Sequence, residues 1–201
     1  MSTREDWFIT SVWYFDEPDT QDLNKRLLEL IQAERQADKV GMTNRSSVLG
    51  WHSRDDLHRR LEFRPFVELV ERNMQEVIAF QHWNLEKATP VISSCWGVVN
   101  GKYGSNTVHN HPNSLLSGVY YLQAPDNCGA LSFRDPRSVA VMMAPPVTEM
   151  TAWTFRTVAY QPKPGRMLIF PSWLDHGVAP NLADEERVAL SFNISLRAIE
   201  S

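Results

Sequence analysis

Cysteine is scarce in this chain: Cys95 and Cys128 are the only two in 201 residues. They match no metal-binding cysteine spacing and do not force a disulfide, so two thiols in a reducing cell are expected. Long apolar runs are missing. No stretch approaches the roughly 20 residues needed to span a bilayer. The first residues, MSTREDWFITSVWYF, lack the basic start and apolar core of a signal peptide. A basic excess is missing too. The net charge is −4, which leaves no electrostatic footprint for nucleic acid. The charge clusters AERQADK and ADEER are short and mixed in sign and read as solvated faces. Internal repeats and low-complexity linkers are absent. These absences predict a cytoplasmic protein with no membrane and no nucleic-acid partner. The length and the 43% hydrophobic content suit one domain over 1–201 with a sizeable core.

The chain divides into two kinds of pattern. Residues 1–89 read as an N-terminal strand and supporting helices. WFITSVWYF, Trp7 to Phe15, is aromatic and β-branched and ends at a DEPDT turn. Thr20 or Asp19 can cap a helix through Lys39, with Leu23, Leu27, Leu30 and Ile31 on one face. Thr43 to Ser53 is polar and reads as a loop, and Ser53 with Asp56 resembles an N-cap before a short DLHRRLEF helix. A stronger helix runs from about Pro65 to Trp83, its stripe formed by Phe66, Leu69, Val70, Val77 and Ile78. Residues 90–201 are strand-rich: VISSCWGVVN, SGVYYLQA, GALSFRD, MTAWTFRTVAY, GRMLIFPS and RVALSFNISL follow one another across turns. A mainly β (α+β) fold is expected, an antiparallel sandwich or barrel with helices packed on one side.

The chain has six histidines, and two stand two apart in HNHPNSLLSGVYYL, His109 to Leu122. If that segment is extended, His109 and His111 point the same way and can grip one metal ion. His176 follows the apolar strand Met167 to Phe170 and can converge on the same end of a barrel. Three imidazoles leave open positions on octahedral iron, or one on tetrahedral zinc. Eleven residues after His176, Arg187 opens the strand RVALSFNI and shares a face with Ala189, Ser191 and Asn193. A guanidinium on an inward face is costly unless it meets an anion, and a carboxylate is its natural bidentate partner. Ser191 can add a hydroxyl to that anion, and Tyr121 a phenol from the strand opposite. The literal HNH does not mark an HNH nuclease, whose three residues are separated around a ββα-metal fold.

Four separated stretches, HNHPNSLLSGVYYL, GALSFRDPR, PGRMLIFPSWLDHGVAPN and ERVALSFNI, with the upstream SSVLGWHSRDDL, resemble the 2-oxoglutarate and iron(II)-dependent oxygenases. Within that family they are similar to a branch with an HxHxxxxxSGVYYL signature, from about Ser46 to Ser195. The resemblance implies a double-stranded β-helix, a jelly-roll catalytic core at 90–201. It implies Fe(II), the cosubstrate 2-oxoglutarate and O2, with hydroxylation of a substrate and release of succinate and CO2. His109 then matches the first metal ligand and His176 the distal one. Arg187 and Ser191 match the pair that holds the far carboxylate of 2-oxoglutarate, and Tyr121 matches a position that contacts it in related prolyl hydroxylases. His111 departs from the family, standing where a carboxylate is usual. Three ligand sets remain open: the three histidines, two histidines with water, or two histidines with Asp135. Three neutral imidazoles leave iron(II) two positive charges, which dianionic 2-oxoglutarate can neutralise.

Trp96, Trp173, Asn193 and His52 are candidates for the substrate pocket, with Trp153 and Phe170 as further walls. Two other functions fit parts of the pattern: a three-histidine zinc hydrolase or lyase, and a cupin-like module binding metal or a small acid without chemistry. The first leaves Arg187 and Ser191 idle, and dependence on 2-oxoglutarate separates the oxygenase from both. The substrate class reads as a small molecule or peptide, and the added N-terminal elements suggest a homodimer.

Overall fold

The computed structural model describes every residue except 1, 44, 138, 140, 141, 200 and 201. Strand β1 (Trp13–Asp16) and helix α1 (Gln21–Ala37) are followed by β2 (Ser47–His52) and two 3-10 turns, Leu57–Arg59 and Leu61–Phe63. Helix α2 (Arg64–Gln81) then leads into β3 (Ala88–His109). The remaining strands are β4 (Leu116–Gln123), β5 (Leu131–Arg134), β6 (Thr157–Tyr160), β7 (Arg166–Pro171), β8 (His176–Val178) and β9 (Arg187–Ala198). All strand pairs are antiparallel.

The long β3 ties two layers together by changing partner midway. Its first part, Ala88 to Asn100, pairs with β9, and its last part, Asn106 to His109, pairs with β8. Between them Tyr103 takes a left-handed backbone conformation, with φ 66°. One layer runs β3–β9–β4–β7–β1 and the other runs β3–β8–β5–β6. The layers face each other across a core of Tyr121, Leu168, Phe170 and Ala189 from the first and Leu131 and Phe133 from the second. This is the double-stranded β-helix, or jelly roll.

The outer face of the first layer carries the helices. Leu27 and Ile31 of α1, and Phe66, Val70, Met74 and Val77 of α2, pack on Cys95, Tyr120, Leu190 and Phe192. Phe66 meets Tyr120 and Phe192 at ring-centroid distances of 5.7 and 5.9 Å. The Tyr120 hydroxyl donates to Asn24 Oδ1 at 2.7 Å, so the buried phenol is satisfied on α1. With a helix layer on one side and the barrel core on the other, β4 and β9 are buried on both faces. This explains why SGVYYL and RVALSF carry apolar runs rather than strict alternation.

Four local expectations differ from the structure, each because strand partners decide. Thr43–Ser53 is not all loop: Ser47–His52 is a strand, because the length of β3 offers it an edge. Ser53 is no helix cap; its hydroxyl accepts from the Gly97 N–H at 2.8 Å and fastens the end of β2 to β3. The N-terminal strand covers only Trp13–Asp16. Trp13 lies opposite Ile169, and β7 stops at Pro171, which has no N–H to offer. Trp7, Phe8 and Ile9 are therefore unpaired and exposed. MTAWTFRTVAY is a strand only at Thr157–Tyr160, since its partner β5 is four residues long. No helix among the described residues is long and apolar enough to cross a membrane.

Candidate metal and cosubstrate site

The open end of the barrel holds a cavity of about 370 Å³, lined by β3, β4, β7, β8 and β9. Its polar centre comes from strand register. His109 at the end of β3 lies directly opposite His176 at the start of β8. Directly opposed residues on one sheet face bring their side chains together, and the two rings are 4.3 Å apart at their centroids. His111 lies just past β3. Its N–H donates to the Ser172 carbonyl at 2.8 Å, and its ring is 5.1 Å from each of the other two.

One nitrogen from each imidazole falls within 4.8 Å of the others. The Nδ1 atoms are already engaged: His109 with Thr107 O, His176 with Leu174 O and His111 with Asn193 Oδ1, each at 2.8 Å. A carbonyl only accepts, so His109 and His176 carry their protons on Nδ1 and turn Nε2 lone pairs inward. His111 Nε2 is buried without a hydrogen-bond partner, an orphan that a metal ion would satisfy. Ligands whose outer nitrogens are oriented by carbonyls and an amide suit a divalent metal. Burial, reinforced by the neighbouring rings, pulls His111 down to about 4 and His176 to about 3; burial lowers His109 as well. All three rings are thus neutral at neutral pH.

That arrangement makes the metal-free protein acid-sensitive. The folded pKa values of His111 and His176 lie below the ordinary 6.5, so the unfolded chain takes up protons first as pH falls. Their contribution is complete above about pH 6.5 and is lost as the pH drops through 6.5 toward 4. Between pH 7 and pH 5 each of these two rings should cost the metal-free protein on the order of 2 kcal/mol, read together as a lower urea midpoint. A midpoint constant over that range would contradict the burial of these rings as neutral groups.

Arg187 lines the same cavity from the first position of β9 and is only 4% exposed. Its NH1 donates to the carbonyls of Cys128 and Gly129, at 2.6 and 2.9 Å. Gly129 holds its carbonyl there in a left-handed turn, φ 86°, where a Cβ would strike the Ala179 carbonyl. No carboxylate among the described residues pairs with Arg187. The neighbouring Glu186 turns outward to Arg35 instead. Burial pulls the guanidinium below its ordinary value, so a cation sits desolvated with only neutral partners. Tyr121, 2% exposed, and Ser191 line the cavity with it; burial raises the Tyr121 phenol well above its usual range. Val119, Leu131, Phe170 and Ala189 supply apolar wall.

The other candidates divide. Trp96 lines the cavity and is sandwiched between His52 and His111, with ring centroids 5.4 and 5.6 Å away. His52 and Asn193 also line it. Trp173 and Trp153 do not; they are 55% and 57% exposed, in the turns after β7 and before β6. Asp135 is absent from the lining and from the metal-competent cluster. Its carboxylate accepts from the Arg137 N–H and guanidinium at 2.8–3.0 Å, and that hydrogen bonding lowers its pKa. Asp135→Asn should therefore leave metal affinity unchanged by calorimetric titration; a large loss would put the carboxylate back among the ligands. Reading by residue type left out Ser94, Ser117 and Ser172, which hold the Asn193 side chain or the loop carrying His111. Their part depends on cross-strand register, which residue type does not carry. Asp175 accepts from Asn110 Nδ2 at 2.9 Å and ties the two histidine-bearing loops together.

The family described as "Putative 2OG-Fe(II) oxygenase" matches residues 94–193. A search of curated proteins finds no match. Among solved structures, a Pseudomonas putida prolyl-4-hydroxylase is similar with TM-score 0.67 and 14% identity, over 94% of each chain. A Trichoplax adhaerens prolyl hydroxylase, in complex with a hypoxia-inducible-factor peptide fragment, has TM-score 0.62 and 15% identity. The match covers 92% of this chain and 83% of that one. HygX from Streptomyces hygroscopicus, with nickel and 2-oxoglutarate bound, has TM-score 0.61 and 11% identity over the same two shares. These likenesses carry the fold. The chain belongs to the 2OG-Fe(II) oxygenase family. It is a 2-oxoglutarate-dependent oxygenase, an oxidoreductase that uses iron(II), 2-oxoglutarate and O2.

Proposed function

We propose that His109, His111 and His176 hold the iron and that Arg187, Ser191 and Tyr121 hold the remote carboxylate of 2-oxoglutarate. The observation that carries this is Arg187: a buried guanidinium without an acidic partner, in the same cavity as three inward-facing imidazoles. Two neutral carbonyls do not balance a buried cation, and a carboxylate does. A zinc hydrolase would use the histidines and leave this cation without a task.

Each side chain then has a definable job. The three Nε2 atoms bind the metal, and the Nδ1 hydrogen bonds keep the rings from rotating. Arg187 takes the remote carboxylate bidentately, while Ser191 and the neutral Tyr121 phenol donate to it. Phe170, Val119 and Ala189 keep water from the cosubstrate. Bound iron(II) supplies the oxygen activation that couples decarboxylation of 2-oxoglutarate to C–H oxidation. The overall reaction is substrate, 2-oxoglutarate and O2 to hydroxylated substrate, succinate and CO2. Because the imidazoles are neutral, iron(II) would keep both positive charges; one carboxylate of the cosubstrate dianion offsets one of them, and the other carboxylate is matched by Arg187.

The substrate enters over Trp96 and His52 at the mouth, where Arg45 and Asp55 form an ion pair at 2.7 Å. A small molecule or a peptide fits this mixed polar and aromatic rim. The first 89 residues work with the barrel as one domain, since β1 extends its sheet and α1 and α2 cover its outer face. The test is equilibrium dialysis of 2-oxoglutarate, without oxygen, against protein with and without iron(II). Retention of one equivalent only when iron is present supports the site. Retention that ignores iron, or none at all, contradicts it.

A further inference from the structure

His109 and His176 have their tautomers fixed by main-chain carbonyls, but His111 does not. It lies past the end of β3, and its ring hydrogen-bonds, among the described residues, to the Asn193 amide alone. We infer that Asn193 is the positioning residue for His111, its amide oxygen holding the proton on Nδ1 so that the Nε2 lone pair faces the metal. This rests on the reading of His111 as a ligand.

Strand register builds the support. On β9, Asn193 lies opposite Ser94 of β3 on one side and opposite Ser117 of β4 on the other. Its Nδ2 donates to Ser94 Oγ at 3.0 Å, and its Oδ1 accepts from Ser117 Oγ at 2.8 Å. Ser117 Oγ is in turn 2.8 Å from Ser172 Oγ, and the Ser172 carbonyl accepts the His111 N–H at 2.8 Å. The chain of hydrogen bonds closes on itself: His111 backbone, Ser172, Ser117, Asn193, His111 ring. Ser117 and Ser172 are 1% and 0% exposed, so no water competes within it. Trp96 stacks on the His111 ring at an interplanar angle of 22° and limits its rotation.

The polarity of the amide is the point. With its oxygen toward His111, the ring donates from Nδ1 and Nε2 is free. An amide turned the other way would offer N–H to Nδ1 and drive the ring proton to Nε2, into the space where the other two lone pairs converge. The ring's proton is thus set by a side chain. The amide also suits an imidazole better than a carboxylate at 111, since the ring brings the donor that Oδ1 needs.

The test uses the whole chain with ¹⁵N-labelled histidine. Imidazole NMR of the metal-free protein reports the His111 tautomer, and Co(II) titration reports affinity. The parent should carry the proton on Nδ1. Asn193→Leu should lose that preference and bind Co(II) about 10- to 100-fold more weakly, the loss seen when a ligand's outer hydrogen bond is removed. Asn193→Asp, which still accepts, should restore the tautomer and most of the affinity. Nδ1 protonation persisting in Asn193→Leu, or parent-like affinity there, would overturn the inference. Should the leucine variant not fold, Asn193→Asp and Ser117→Ala decide. The former must keep the Nδ1 proton and the latter must weaken its preference; the opposite pattern overturns the inference. A parent that binds no Co(II) contradicts the metal site itself, whereas a parent with its proton on Nε2 contradicts this inference alone.

Discussion

Arg187→Met should lose 2-oxoglutarate while keeping the fold. Truncating one partner of a buried charge pair costs on the order of 3 kcal/mol or more, which is at least about a hundredfold in affinity. Methionine keeps much of the volume of the arginine stem. In the protein without cosubstrate the guanidinium is a desolvated cation held by two carbonyls. Replacing it with an apolar side chain is therefore expected to leave the urea midpoint level or raised. Affinity and stability should then move in different directions, which a merely structural arginine would not produce. Arg187→Lys should recover little, because an ammonium cannot match the carboxylate fork. Unchanged 2-oxoglutarate affinity in Arg187→Met would remove the anchor from the account.

His176→Ala should abolish metal retention. The ring is 5% exposed and touches Phe133 and Phe170 as well as the other histidines. Its loss removes the proposed ligand that comes from β8. The expected fall in iron(II) affinity exceeds the roughly 10- to 100-fold that outer-shell changes cause. His111→Asp is the informative companion. It places a carboxylate where the family usually has one, so metal should be retained, with the net charge at iron reduced by one. Calorimetric titration of the anaerobic proteins checks both. Parent-like affinity in His176→Ala would mean that the three rings do not share an ion.

Spacing within a strand carries direction, but only His109 lies in β3; His111 follows the strand and is placed by its N–H bond to the Ser172 carbonyl. What the sequence does not carry is which strand lies opposite. His109 meets His176 because the last residues of β3 leave β9 and join β8, a change of partner visible only in the fold. The same gap hid β2, whose polar stretch becomes a strand by adding to β3. It also hid the Ser94–Asn193–Ser117 row, where three unremarkable polar residues become neighbours. Asp135 shows the converse case. Its local sequence, Asp-Pro-Arg, already contained the partner that occupies it. Trp173, chosen for its type, lies in an exposed turn after β7, since an aromatic side chain carries no directional signal outside regular structure.

The central claim is that this cavity turns over 2-oxoglutarate with iron and oxygen. The most direct measurement is succinate formed from 2-oxoglutarate by protein loaded anaerobically with iron(II) and then exposed to O2, with Arg187→Met and His176→Ala alongside. Slow turnover without the primary substrate is expected in the parent, with succinate absent from both variants. A parent that forms no succinate, and whose iron form also fails to bind 2-oxoglutarate, would contradict the account.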